Sequence, residues 1–296
     1  MSKILIPGGT GFLGKSLSRY LKAQGHEVIT LSRKRDSKSL YWDGENLGEW
    51  EKELETVDVI INLAGKSVDC RYNPANMKAI LMSRLSSTAV LNKAVEKCSN
   101  RPRVWLNAST ATIYRHSETR PNTEKEGVLG DDFSTNVAQE WERVFFKKEL
   151  PGTRKIAMRT SIVLGATGGA FPVIKRLTKL GLGGMQGKGQ QMISWIHVDD
   201  FCRAVDFLIQ SELEGVVNVT APKPVSNKDF MFNLQKSLRI PIAISQPRWL
   251  LELGALFMKT ETELVLKSRF VLPEKLENSG FKWDYNTHDA AVQDLI

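Results

Sequence analysis

The feature that most constrains this chain is the glycine-rich run Gly8-Gly9-Thr10-Gly11-Phe12-Leu13-Gly14, between an apolar strand pattern and an amphipathic helix pattern. One glycine permits turn angles closed to other residues, a second lets a diphosphate approach the backbone, and a third lets the helix pack closely on the strand. The GxxGxxG spacing is one residue longer in its first gap than the common dinucleotide fingerprint. We expect phosphate binding by Gly8, Thr10, Gly11, Phe12, Leu13 and Gly14, with a ligand-free tight turn as the alternative.

Short apolar runs alternate with longer amphipathic patterns through the first half of the chain, which is typical of a parallel sheet wrapped by helices. We therefore predict an α/β fold with a Rossmann-type doubly wound parallel sheet. The predicted strands are Lys3–Pro7, Glu27–Leu31, Val57–Asn62, Arg103–Asn107 and Lys155–Arg159, with a short extra strand at Ser39–Asp43. The predicted helices are Phe12–Gln24, Asn76–Cys98 and Phe133–Lys148.

The pattern changes after Arg159, and the last part of the chain looks like a smaller lobe. We assign residues 1–220 to the dinucleotide-binding domain, with a substrate-side insertion at about 166–195, and residues 221–296 to a mostly helical C-terminal lobe. Further predicted elements are a strand at Ile193–Val198, a helix at Asp200–Gln210, a strand at Val216–Thr220, and helices at Trp249–Met258 and His288–Leu295. Trp195 and Trp249 are expected in the core or at the lobe interface.

Composition narrows the class of protein. The chain of 296 residues, 42% of them hydrophobic, can bury a sizeable core. Its longest apolar stretches, such as Val57–Ala64, are far shorter than the roughly 20 residues that a membrane span needs. Cys70, Cys98 and Cys202 are widely spaced and form no CxxC pattern. We expect a reduced, cytoplasmic protein with no metal site and no membrane partner.

The formal net charge of +8 would favour polyanionic partners if it were clustered. The basic residues are instead scattered among 33 acidic residues, so we expect no nucleic-acid partner. One or two cations suffice for a small phosphorylated ligand. We expect a small-molecule substrate, and the sequence does not indicate an oligomeric state.

The end of the second predicted strand bears on the choice of cofactor. NAD-binding proteins usually place an acidic residue here to bind the ribose hydroxyls, but this chain has Ser32 and Arg33. A carboxylate would repel a 2′-phosphate, whereas a serine hydroxyl can donate to it and an arginine can pair with it. We therefore expect NADP(H) in preference to NAD(H). Two alternatives stay open: Arg33 is a solvated surface residue, or Asp36 restores NAD binding.

Several ordered motifs resemble the extended short-chain dehydrogenase/reductases, specifically their atypical epimerase-like branch related to nucleoside-diphosphate-sugar epimerases. Besides the glycine turn, the resemblance rests on Asn62–Gly65, Ser109–Tyr114, Arg159–Gly165 and Trp195–Asp200. The segments Leu272–Leu276 and Gly280–Phe281 are similar to the small C-terminal domain of this branch. The resemblance implies an oxidoreductase or epimerase-like enzyme that acts on an unidentified small polar substrate.

The resemblance also implies contacts to the cofactor. The turn after the fourth strand would approach the adenosine or ribose side, and the segment Ser161–Gly165 would lie beside the nicotinamide. An arginine on the following helix could reach a phosphate, although a surface position is an equal alternative. The implied residues are Leu63, Ala64, Gly65, Arg84 and Val163.

The catalytic set implied by the resemblance is incomplete. Active relatives use a Ser or Thr, a Tyr, and a Lys four residues after the Tyr. The Lys lowers the pKa of the Tyr hydroxyl. Thr110 occupies the hydroxyl position, but Asp132 and Asn136 stand where Tyr and Lys are expected. Tyr114 is a candidate substitute proton donor, and a packing role is the favoured alternative.

The absence of the expected Tyr and Lys allows other interpretations of this region and of the protein. Asp131 and Asp132 are the residue type that caps a helix. The loop Gly181–Gly189 could close over an anionic substrate, or could be a plain connection. His197 is interpreted as structural. The alternative to an enzyme is a catalytically silent NADP(H)-binding redox sensor or regulatory protein.

Overall fold

The structure is a computed structural model that describes residues 1–34, 38–258 and 261–296. Its strands are β1 (Lys3–Pro7), β2 (Glu27–Ser32), β3 (Leu40–Tyr41), β4 (Val59–Asn62), β5 (Val104–Thr110), β6 (Arg154–Thr160), β7 (Ile162–Leu164), β8 (Met192–Ile193), β9 (Trp195–His197), β10 (Gly215–Val219) and β11 (Val225–Ser226). Its helices are α1 (Phe12–Ala23), α2 (Pro74–Lys97), α3 (Phe133–Phe146), α4 (Phe171–Lys179), α5 (Val198–Gln210), α6 (Asn227–Ser237), α7 (Arg248–Met258), α8 (Glu263–Leu266), α9 (Glu274–Asn278) and α10 (His288–Leu295). Short 3-10 helices lie at Glu49–Thr56 and Ala111–Ile113.

Seven strands form one sheet in the order β10-β6-β5-β4-β1-β2-β3. All neighbouring strands in it run parallel. The predicted Rossmann-type doubly wound sheet is therefore confirmed. The chain reverses its direction of travel across the sheet between β1 and β4, and ligands of such sheets bind at the carboxyl ends of strands beside that point.

The sheet is buried on both faces, as a parallel sheet requires. Successive strand residues point to opposite sides, so Ile4 and Ile6 of β1 pack with Leu17 of α1 on one face. Leu5 packs with Leu91 of α2 on the other face. Among the described helices, none has both the length and the apolar character needed to cross a bilayer.

The C-terminal residues pack in two apolar clusters. Leu276 of α9 and Phe281 belong to the cluster that includes β1 and β10 residues. On α10, Val292 and Leu295 pack with Trp195. The end of the chain therefore packs partly on the main core and partly in a second cluster around Trp195.

Some predicted elements are placed differently. The single strand expected at Ile193–Val198 is split: β8 pairs with β11, β9 pairs with β7, and α5 already begins at Val198. The His197 side chain accepts a hydrogen bond from the Asp199 amide and caps this helix. Helix α4 was not predicted from the sequence; its Pro172 lies in the first turn, where proline is tolerated.

The two tryptophans have opposite environments. Trp195 is fully buried, as expected, and its Nε1 donates to the Lys223 carbonyl. The expectation for Trp249 is wrong, because 66% of this residue is exposed. Among the described side chains of α7, Ala255 is buried, whereas the Trp249 indole is exposed.

Replacement of Leu276 by Ala tests the packing of the C-terminal segment on the sheet. Leu276 is fully buried, so Leu276→Ala should leave a cavity and lower the free energy of unfolding by about 2–5 kcal/mol. Leu256→Ala is the matched control, because 61% of that leucine is exposed, and should change stability by less than about 0.5 kcal/mol. Urea unfolding followed by tryptophan fluorescence measures both. Equal losses would contradict this packing.

Candidate active site

The three glycines of the GxxGxxG turn have different surroundings. Gly8 has a φ of +80°, and a Cβ there would lie 2.8 Å from the carbonyl carbon of Leu63. A Cβ at Gly14 would lie 2.5 Å from the Cα of Gly9. A Cβ at Gly11 would lie 3.5 Å from its nearest neighbour, the Gly8 carbonyl oxygen, which is an ordinary contact distance. The outer glycines are therefore required by packing, whereas Gly11 leaves one side of the turn open.

The first amide groups of α1 have no partner within the helix, whereas the Gly11 amide before them donates to the Gly8 carbonyl at 3.2 Å. Gly11 is the N-cap residue and brings no side-chain hydrogen bond, and the described first turn carries no acidic residue. Such a terminus favours an anion through its N–H groups and its dipole. Thr10 is exposed, and Phe12 and Leu13 are partly exposed. This cradle fits a diphosphate.

The Phe12 ring packs against the segment that follows β7. A Cβ at Gly165 or at Gly168 would approach this ring to 2.5 Å or 2.4 Å. Gly165 directly follows β7, whose Val163 is buried and belongs to the main core. The glycine turn and the segment after β7 are thus in direct contact.

The end of β2 carries the residues expected near a 2′-phosphate. Ser32 is buried, with its Oγ accepting from the Lys34 amide at 3.0 Å. Arg33 and Lys34 are exposed. Asp36, which could restore NAD binding, lies outside the described residues.

The turn after β4 is fixed by buried amide side chains. Asn62 donates to the Asn107 side chain at 2.7 Å, and its own oxygen accepts from the Ala64 amide at 3.1 Å. This holds Leu63 and Ala64 against Gly8. The arrangement explains why polar side chains occupy two neighbouring strands inside the sheet.

Arg84 holds the same turn from the α2 side. Its Nη1 donates to the carbonyls of Lys66 and Ile80, and its guanidinium lies 5.1 Å from the Trp141 ring centroid. A Cβ at Gly65 would lie 3.3 Å from the Arg84 Cζ. Burial lowers the pKa of Arg84 to about 10. The side chain is therefore a structural support beside the site, not a solvated surface residue.

Thr110 lies at the carboxyl end of β5, opposite Thr160 of β6. Its Oγ1 accepts from the Thr112 amide at 3.1 Å and caps the 3-10 helix that follows. Thr110, Thr112 and Ser161 are each partly exposed. They place hydroxyl groups along the edge of the sheet where the resemblance expects the reacting groups.

Tyr114, the candidate proton donor, is placed inside the protein. It is 1% exposed; its hydroxyl donates to Asn218 Oδ1 and accepts from Arg159 Nη1, both at 2.9 Å. Arg159 also pairs with Glu142 at 2.7 Å, and Ser109 donates to the same carboxylate. Burial raises the pKa of Tyr114, against the opposing effect of Arg159. This enclosed network favours the packing interpretation of Tyr114.

Asp132 and Asn136, at the positions of the expected Tyr and Lys, make local contacts. Asp132 is the N-cap of α3 and accepts from the Thr135 amide at 2.9 Å. Asn136 is exposed and donates to the Asp131 carbonyl. Asp132 thus has the capping role that was one of its interpretations, but this is not its only contact.

Two basic residues from the C-terminal part of the chain reach this edge, and the sequence analysis did not identify them. Lys267 Nζ donates to Asp132 Oδ2 at 2.5 Å, and Arg269 Nε donates to Thr112 Oγ1 at 3.0 Å. Both residues are buried. The distance in sequence between them and β5 gave no local signal for this contact.

Tyr72 is a third residue at this site that was not predicted from the sequence. Its amide donates to Glu261 Oε1 at 2.7 Å, and its ring packs edge-on against Phe133 at 5.1 Å. Burial raises the pKa of Tyr72, while a hydrogen bond with the Ser134 side chain opposes this. Tyr72 therefore places a phenol beside the start of α3.

The loop Gly181–Gly189 is paired to the chain that leads into α7. Gly184 and Ile244 are joined by a backbone hydrogen bond, and Gly187 donates to the Gln246 carbonyl. Gln246 in turn donates to Met185. These contacts tie the loop to the C-terminal lobe.

Comparison with known proteins assigns the family. Residues 4–220 match the NAD dependent epimerase/dehydratase family, and residues 246–295 match a domain of unknown function, DUF1731. This chain belongs to the NAD dependent epimerase/dehydratase family. Its resemblance to epimerase-like short-chain dehydrogenase/reductases is thereby confirmed.

Similar proteins cover the whole chain. An epimerase family protein of Staphylococcus aureus (SA0724) is 33% identical over 301 residues, covering 100% of this chain and 99% of its own. Bacillus subtilis YfhF is 33% identical over 302 residues, covering 99% of this chain and 97% of its own. Both are named epimerase family proteins.

Solved structures are similar over the same length. The human epimerase family protein SDR39U1, in a structure with NADPH, has a TM-score of 0.88 and 30% identity, with 99% of this chain and 98% of that chain covered. The UDP-N-acetylglucosamine 4-epimerase of Bacillus cereus has a TM-score of 0.79 at 19% identity, with 100% and 98% covered. The latter likeness shows the epimerase fold alone.

Replacement of Gly11 by Ala tests the open side of the turn in this epimerase-family protein. The methyl group fits the protein but would stand where a diphosphate must approach the backbone. Gly11→Ala should therefore leave thermal unfolding of the cofactor-free protein unchanged and weaken NADPH and NADH equally, by about tenfold or more, or about 1.4 kcal/mol. Fluorescence titration measures this. Gly48→Ala, at an extended position 3.6 Å from Trp50, is the control. Unchanged affinity in Gly11→Ala would contradict this site.

Proposed function

We propose that this protein is an NADP(H)-dependent oxidoreductase or epimerase-like enzyme that acts on a small polar substrate. The observation that carries the cofactor choice is the end of β2, where buried Ser32 is followed by exposed Arg33 and Lys34. These residues suit the doubly negative 2′-phosphate that distinguishes NADP(H) from NAD(H). The NADPH in the structure of human SDR39U1 is additional support.

Each part of the site has a role in holding this cofactor. The amides at the start of α1 would bind the diphosphate, and Arg33 with Ser32 would bind the 2′-phosphate. The turn Leu63–Gly65 would contact the adenosine or ribose side, and the segment after β7 would lie at the nicotinamide. When bound, NADPH supplies a hydride to a carbonyl carbon.

The substrate end of the site supports an enzyme. The hydroxyls of Thr110 and Thr112 lie at the carboxyl edge of the sheet, next to a charged pair formed by Lys267 and Asp132. Hydroxyl and charged groups at this edge suit a polar carbonyl or sugar substrate better than an apolar one. We propose a small-molecule substrate, not a nucleic acid.

A catalytically silent redox sensor is the second candidate. It is favoured by one observation: the positions of the family Tyr and Lys hold Asp132, which caps α3, and exposed Asn136. A sensor would bind NADPH tightly without consuming it. Turnover separates the two functions.

We place the protein in the cytoplasm. Cys70, Cys98 and Cys202 are all free thiols in the described chain. Burial raises the pKa of Cys98 to about 11 and that of Cys202 to about 12, so both remain protonated and unreactive. Unpaired cysteines suit a reducing compartment.

Replacement of Arg33 tests the cofactor preference. Arg33→Ala should weaken NADPH binding by about tenfold, because a charge-assisted contact to the 2′-phosphate is worth about 1.5–3 kcal/mol before solvent exposure reduces it. NADH binding should not change. Arg143→Ala, an exposed arginine paired with Glu140 on α3, is the matched control and should leave both affinities unchanged. Tighter binding of NADH than NADPH by the wild type would refute the preference.

Turnover is measured as the loss of NADPH absorbance in the presence of each compound of a panel. The panel consists of 9,10-phenanthrenequinone, pyridine-3-carboxaldehyde and UDP-linked 4-ketosugars. We expect NADPH consumption with at least one compound. Tight NADPH binding without consumption across the panel would contradict the reductase and favour the sensor, with a redox-neutral epimerase still open. Tyr114→Phe should retain turnover, because its hydroxyl is enclosed by Asn218 and Arg159.

A further inference from the structure

Lys267 belongs to the C-terminal part of the chain and lies near the carboxyl end of β5. Its side chain is 6% exposed, and its Nζ lies 2.5 Å from Asp132 Oδ2 and 3.5 Å from the Thr112 carbonyl. Thr112 is the residue whose amide is bound by Thr110. The ammonium group is therefore placed next to the hydroxyl edge of the site.

Lys267 is held in a fixed position. A second carboxylate, Glu263, lies 3.9 Å from Nζ. Arg269 Nη1 donates to the Lys267 carbonyl at 3.1 Å while Arg269 Nε bonds Thr112. The two cations are balanced by Asp132 and Glu263, so the cluster is not a net positive patch for binding an anion.

Carbonyl reduction requires one proton in addition to the hydride, and few groups beside Thr112 can give one. Arg269 cannot, because a guanidinium stays protonated in proteins. Burial opposes ionisation of Asp132, but hydrogen bonds from Lys267 and Thr135 outweigh it and lower its pKa. Asp132 is therefore ionised and has no proton to donate. A threonine hydroxyl can relay a proton but is not a source of one at neutral pH. Of the three charged groups Arg269, Asp132 and Lys267, Lys267 is the one with a proton to donate, and the phenol of Tyr72, which interacts with Glu263 and Arg269, is the neutral group to compare with it.

We propose that Lys267 Nζ is the proton donor of this site and that Asp132 returns the proton from solvent. The proposal rests on the reductase function proposed above. Asp132 suits its part because its side chain is 43% exposed while that of Lys267 is 6% exposed. The carboxylate therefore connects a buried amine to water.

The step balances. The carbonyl carbon gains a hydride with its electron pair, the C=O π bond opens, and the oxygen forms an O–H bond as an N–H bond of Lys267 breaks. The products are an alcohol, NADP⁺ and a neutral amine. A proton from water then reaches the amine by way of Asp132, which restores the ammonium ion. The reverse sequence oxidises an alcohol.

Phenols are the alternative donors, and their placement is less suitable. Tyr114 is enclosed by Asn218 and Arg159. Tyr72 is hydrogen-bonded to Ser134 at the start of α3. Tyr72→Phe is therefore the comparison variant, and it should keep most of the turnover.

Two variants of Lys267 separate proton donation from structural pairing. Lys267→Arg keeps the charge and the capacity to pair with Asp132 but cannot release a proton, and Lys267→Ala removes both. With the most active compound of the panel, both should lower kcat by about 100-fold or more, and the NADPH dissociation constant should stay within about threefold of wild type. Added ethylamine should restore turnover to Lys267→Ala in proportion to its concentration.

A purely structural pair gives the opposite results. Turnover in Lys267→Arg within threefold of wild type, or no rescue by ethylamine, would overturn the proposal while leaving the reductase function intact. Loss of kcat in Tyr72→Phe with Lys267→Arg unaffected would assign the donor to Tyr72. Absence of turnover in the wild type on every compound would reject the reductase function and this proton step with it.

A second measurement needs neither cofactor nor substrate. In protein labelled with ¹⁵N-lysine, the buried Lys267 ammonium signal is assigned by its loss in Lys267→Arg. Asp132→Asn should slow exchange of its protons with water by about tenfold or more, because the exposed carboxylate no longer carries them. Unchanged or faster exchange would overturn the role of Asp132. Normal thermal unfolding of each variant confirms that it is folded.

Discussion

The architecture depends on the close approach of two backbone turns at the point where the sheet order reverses. Gly8, at positive φ, lies so close to the Leu63 carbonyl that a Cβ would overlap it at 2.8 Å. This contact joins the ends of β1 and β4, and the Asn62–Asn107 hydrogen bond extends it to β5. Because these strand ends are fixed, the amides at the start of α1 and the open side of Gly11 face the same edge of the sheet.

The second half of the site comes from a distant part of the chain. The segment after α8 pairs backbone groups of Arg269 with Met192 and Ser194, and the same segment brings Lys267 to Asp132. Since α9 and α10 pack on the sheet and on Trp195, this segment is anchored at its far side. The C-terminal residues therefore both cover the core and complete the polar edge.

The sequence predicted the first half of the site because its signals are local. The strand, glycine turn and helix are consecutive, and the positive φ of Gly8, the open side of Gly11 and the close packing at Gly14 produce a recognisable local pattern of glycines. The contacts of Lys267 and Arg269 with Asp132 and Thr112 have no such local pattern, because the partners are 135 to 157 residues apart in the sequence. Tyr114 shows the converse: its position in a family motif suggested chemistry, but the burial that encloses its hydroxyl depends on Asn218 and Arg159 from other strands. Only tertiary structure decides between those roles.

A crystal structure of the protein with NADPH tests the central claim most directly. We expect the diphosphate to lie against the amides of Phe12 and Leu13 at the start of α1, and Ser32 and Arg33 to contact the 2′-phosphate. A diphosphate bound away from the glycine turn, or a 2′-phosphate that contacts neither Ser32 nor Arg33, would contradict it.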